Sequence, residues 1–69
     1  MIEVVVQRLE LGDVILIDLP GQDQEVEAMV AREIDRTETT VRATLRVKGR
    51  EDLVKEWPLG AVVTVVRGP

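Results

Sequence analysis

Between Thr39 and Lys48 the chain reads Thr-Thr-Val-Arg-Ala-Thr-Leu-Arg-Val-Lys, and its character changes at nearly every residue. Val41, Ala43, Leu45 and Val47 share one parity, whereas Thr40, Arg42, Thr44, Arg46 and Lys48 share the other. Successive side chains on a strand point to opposite faces, so this period of two predicts a strand with one apolar and one cationic face. No other stretch alternates as cleanly or for as long. The neighbouring segments are expected to pair with it or to pack beneath it.

Read in order, Ile2 to Val6 is a β-branched run and predicts a first strand. Gly12-Asp13 suits a turn, because glycine tolerates a positive φ and the Asp carboxylate can hydrogen-bond its own backbone two residues on. Val14 to Asp18 predicts a second strand, and its unbroken apolarity implies cover on both faces. Pro20 to Gln24 is a loop. Glu25 to Asp35 predicts a third strand with Val26, Ala28 and Val30 on one face. Strict parity would turn Arg32 inward, and a lone charge is rarely buried, so a β-bulge or bend is expected there. A short helix over 27–34 competes on propensity; the hairpin signal beside it favours the strand.

If Ile34 lies opposite Val41, then Val30 faces Leu45, Ala28 faces Val47, Glu33 faces Arg42 and Glu27 faces Lys48. Apolar residues then meet apolar ones and acids meet bases, which is the pairing that stabilises a hairpin. Gly49 hinges the next turn. Leu53 to Trp57 is a short strand that Pro58 should end, since proline offers no N–H to a ladder. Leu59-Gly60 is a tight connection compatible with one 3₁₀ turn, and Ala61 to Arg67 is a final Val-rich strand. Five to six short strands with glycine at most connections predict an all-β, largely antiparallel fold, closed into a small barrel to protect its edges.

At 69 residues the chain is expected to form one small β-domain, residues 1–69, with little surface to bury. It has no cysteine and no histidine, so neither disulfides nor the usual zinc ligands are available. Without a cationic leader or a long apolar run, no targeting or membrane segment is expected, and the cytoplasm is the expected compartment. The net charge of −4 divides unevenly: residues 1–35 carry nine acids and two bases, residues 36–69 four acids and seven bases. An acidic whole disfavours a nucleic-acid partner, whose phosphates supply most of the binding energy.

Leu11-Gly12-Asp13-Val14-Ile15, followed by a strand, a loop and a long hairpin, resembles the SH3-like small barrels, including those appended to bacterial transcription and translation proteins. Trp57-Pro58-Leu59 before the last strand looks like the late turn of such barrels. The resemblance implies a fold. It does not imply polyproline binding, because that function uses a groove of several aromatic residues and Trp57 is the only aromatic here.

Arg42, Arg46 and Lys48, with Arg36 and Arg50 at the ends, are the candidate binding residues for a phosphate backbone. Against this stands a solvated face whose cations pair with Glu27 and Glu33, and the lack of aromatic platforms for bases favours that reading. Trp57 either plugs the end of the core or anchors a partner. The acids Asp18, Asp23, Glu25 and Glu27 lack the spacing of a calcium loop. The threonine hydroxyls have no activating base, so no catalytic residues, metal or cofactor are expected. The expected function is therefore a non-catalytic interaction module that binds another protein or itself. A nucleic-acid accessory module using the face of residues 39–48 is the alternative.

Overall fold

Thr40–Arg46 is indeed a strand in the computed structural model, which describes residues 1–69. The six strands are β1 (Ile2–Val5), β2 (Val14–Ile17), β3 (Val26–Arg36), β4 (Thr40–Arg46), β5 (Leu53–Pro58) and β6 (Val62–Arg67). They form one antiparallel sheet in the order β1-β6-β2-β3-β4-β5. Along β4 the side chains of Val41, Ala43 and Leu45 are buried while Arg42 and Arg46 are exposed. The alternation written in the sequence is the alternation of the sheet.

The β3–β4 hairpin splits at the expected irregularity. Val30 faces Leu45 and Met29 faces Arg46, in the anticipated register. Beyond the bulge Ile34 faces Ala43, Asp35 faces Arg42 and Arg36 faces Val41. Ala31, Arg32 and Glu33 thus lie against the single residue Thr44, and Arg32 is carried into solvent. The expected pairings of Ile34 with Val41 and of Glu33 with Arg42 are displaced by that insertion. Glu27 reaches Arg67 on β6, with Nη1 donating to Oε1 at 3.1 Å, rather than Lys48.

The chain before β2 departs most from expectation. After β1 it makes one 3₁₀ turn, Val6–Arg8, whereas Leu59-Gly60 is a plain turn. Val6, which opens this 3₁₀ segment, and Leu9, which follows it, are completely buried. The Arg36 guanidinium donates to the Leu9 carbonyl at 2.7 Å and holds the segment against the end of β3. Gly12 then adopts φ +91°, a conformation that a side chain disfavours. Asp13 is buried; its Oδ2 accepts from the Glu10 N–H at 3.0 Å, and its own N–H donates to the Glu10 carbonyl at 3.1 Å. The reciprocal pair closes the turn and feeds β2 into the core, where Val14, Ile15 and Ile17 are buried.

Fourteen buried residues form one cluster, drawn from every strand except β1 and from the loops. Leu9, Ile15, Leu45, Val6, Val30 and Val41 are its largest fully buried members. Each such side chain contributes roughly 1.5–3 kcal/mol relative to exposure, so aliphatic packing carries the fold. No helix is long and apolar enough to cross a membrane.

The sheet curls but its hydrogen bonding does not close. Residues of β5 (Lys55, Trp57) and β6 (Val62, Val63, Thr64) line a common recess of about 190 Å³, so the two strands approach across a seam. They do not pair, because the edge that β6 would offer is occupied by β1. The expected barrel is an open sheet with β1 and β5 at its edges.

Candidate interaction surfaces

The cationic row is built by β4 and compensated by its neighbours. Arg42 lies directly opposite Glu56 of β5, and Nη2 approaches Oε2 to 3.5 Å. On its other side it faces Asp35 of β3. Arg46 reaches Asp52 with an Nε–Oδ1 separation of 3.4 Å, and Arg32, delivered by the bulge, reaches the other oxygen of the same carboxylate at 3.6 Å. The acids that pair with this row are Asp52 and Glu56, with Asp35 alongside, in place of the expected Glu27 and Glu33. Such exposed pairs contribute roughly 0–1 kcal/mol each, but they neutralise the field that a phosphate backbone would need.

The six singled-out residues do not converge. Arg36 lies opposite the buried Val41, so it turns to the core side of the sheet, away from Arg42. Lys48 and Arg50 sit exposed in the β4–β5 connection and make no ion pair. Trp57 is buried within the core cluster, opposite Val41, and Lys55 Nζ stands 6.0 Å from its ring centroid. At that distance the ammonium gains from the ring quadrupole. The face of Trp57 is thereby shared between the core and its own strand.

A different surface lies at the opposite edge. A cleft of about 620 Å³ runs beside β1, lined by Met1, Ile2 and Val4, by Arg8 of the 3₁₀ turn and Leu9 after it, and by Val65 of β6 among others. Met1 is 82% and Ile2 62% exposed, whereas Val4 packs partly against the core. Ile2 to Val6 reads as an ordinary strand in the sequence, and nothing local marks it as an edge. Only the pairing of β6 with both β1 and β2 does so.

The acids gather into no metal-binding group. Every fully buried side-chain polar atom has a hydrogen-bond partner, so no buried group is left aimed at a ligand. Asp13, the one buried acid, is engaged with the backbone of Glu10. Fold and surface together define a small, open, all-β sheet with two unlike edges. No protein-family model, curated protein or solved structure matches the chain.

Proposed function

We propose that this chain is a small non-catalytic interaction module that acts by protein–protein contact along its β1 edge. The observation that carries the reading is the juxtaposition on β1: unpaired backbone at a sheet edge, flanked by exposed Met1 and Ile2, beside a cleft that Ile2 and Val4 line together with Val65 of β6. An unprotected edge with apolar flanks is a template for an added strand. A consecutive β2-to-β5 meander with the last strand beside β2 supports the resemblance to SH3-like small barrels. The absence of cysteine and histidine is in keeping with a cytoplasmic, non-catalytic role. The compensated Arg42/Arg46 row supports a solvated face over a nucleic-acid site.

Residue-resolved NMR tests this directly. The isotope-labelled protein is titrated at low salt with mixed RNA and single-stranded DNA, and separately with capped hexapeptides of alternating Val and Thr. The reading expects the peptides to shift Ile2–Val5 and the nucleic acids to leave Arg42, Thr44, Arg46 and Lys48 unmoved. Salt-sensitive shifts along those four residues, lost in the Arg42→Ala/Arg46→Ala variant, would transfer the function to the nucleic-acid alternative.

A further inference from the structure

We infer that the occupant of the β1 edge is the same strand of a second copy of this chain, running antiparallel, with Val4 on the two-fold axis. The inference rests on the reading of β1 as the contact surface and narrows it to one partner and one register.

The hydrogen bonding of β1 decides which of its groups are available. Val6 N–H donates to the Ala61 carbonyl at 2.8 Å, continuing the register in which Val4 faces Val63 and Ile2 faces Val65. In an antiparallel ladder opposed residues alternately exchange both bonds or none. Ile2 and Val4 therefore direct their backbone groups to β6, and Glu3 and Val5 hold theirs to the free edge. A two-fold axis perpendicular to the sheet keeps each side chain on its own face, so opposed residues must share parity.

A register centred on Val5 would need Gln7, which lies in the 3₁₀ turn, opposite Glu3. Of the remaining two that bond both Glu3 and Val5, one sets Glu3 against Glu3 of the second copy. Like charges directly opposite are destabilising. The other sets Glu3 against Val5 and Val4 against Val4, brings no like charges together and covers Ile2.

The β5 edge does not allow the same. Leu59 N–H donates to the Thr39 carbonyl at 3.1 Å, in register with Thr40 facing Pro58. Val54, Glu56 and Pro58 thus face the free edge of β5, and Pro58 has no N–H to give. Self-pairing centred on Lys55 opposes two ammonium groups, and centring on Glu56 opposes two carboxylates. Centring on Val54 sets Asp52 against Glu56. One edge repels its own copy and the other accepts it.

The test uses the absence of native cysteine. Opposed residues that exchange no hydrogen bonds stand about 4.5 Å apart at Cα, within the roughly 4.4–6.8 Å that a disulfide spans. Val4→Cys is expected to cross-link into a dimer under mild oxidation, faster than Glu3→Cys. Glu3→Pro removes only a free-edge donor, so its dimer should be about ten-fold weaker by sedimentation while the protein stays folded by circular dichroism. Because each copy carries a net charge of −4, wild-type association should tighten as salt is raised.

Faster cross-linking of Glu3→Cys would overturn the register. A wild-type protein that sediments as a monomer at millimolar concentration, with no cross-link in either variant, would overturn the second copy as occupant. In that case the Val/Thr peptide titration still decides whether β1 is a contact surface at all.

Discussion

Asp13 is the residue on which the first turn depends. It is the only charged side chain in the interior, and its carboxylate takes the Glu10 N–H at 3.0 Å. Asp13→Ala leaves that donor without its partner and should cost about 1–3 kcal/mol. Asp13→Asn keeps an acceptor oxygen in the same place and should lose less. Urea unfolding separates the two: the midpoint falls for both, further for Ala, with an unchanged slope. An Ala variant as stable as wild type would remove Asp13 from any structural role. The sequence marks Asp13 as a turn former through Gly12 beside it. It does not reveal that the bond runs backward to Glu10, because that depends on how the 3₁₀ segment returns to the core. Trp57 is similar: a lone aromatic in an aliphatic chain reads as core, but its ammonium neighbour Lys55 follows from strand parity once β5 is placed.

Within β4, adjacent residues should differ sharply in what they contribute. Leu45 is fully buried, so Leu45→Ala should cost about 2–5 kcal/mol through lost transfer energy and the cavity left behind. Whole-domain stability at this length is roughly 0.05–0.15 kcal/mol per residue, so the variant should lose a large share of it, read as a marked fall in the urea midpoint. Arg42→Ala/Arg46→Ala removes two exposed ion pairs, each worth roughly 0–1 kcal/mol, and should lower the urea midpoint much less than Leu45→Ala does. A double variant as damaging as Leu45→Ala would mean that the outer face of β4 is structural. This strand is readable from sequence because its period is unbroken. The β3–β4 register is readable only up to the bulge. Parity shows where Arg32 must escape the core, whereas the number of residues expelled follows only from the register on either side, Val30 against Leu45 and Ile34 against Ala43.

Edge position is a property of the assembled sheet, which is why Ile2–Val5 and Val62–Arg67 look alike in sequence and behave differently in the fold. β6 is flanked on both sides, by β1 and β2, and its stretch Val62-Val63-Thr64-Val65-Val66 carries no charge. Such a run is safe only while both edges are covered, because a flat, uncharged, β-branched strand recruits other chains. Deleting residues 1–5 should therefore do more than remove a small strand. It should convert β6 into an open edge and make the protein aggregate at concentrations where the full chain stays soluble. Light scattering and dye-binding fluorescence of the two chains, measured side by side, check this. Thr64→Lys in the shortened chain places a charge in the middle of the new edge and should restore solubility. If the shortened chain stays dispersed without that charge, β1 is not the guard of β6, and its place at the edge calls for another explanation. If aggregation appears and the lysine cures it, β1 has a second task besides offering an edge to a partner: it keeps the most β-prone segment of the chain out of reach.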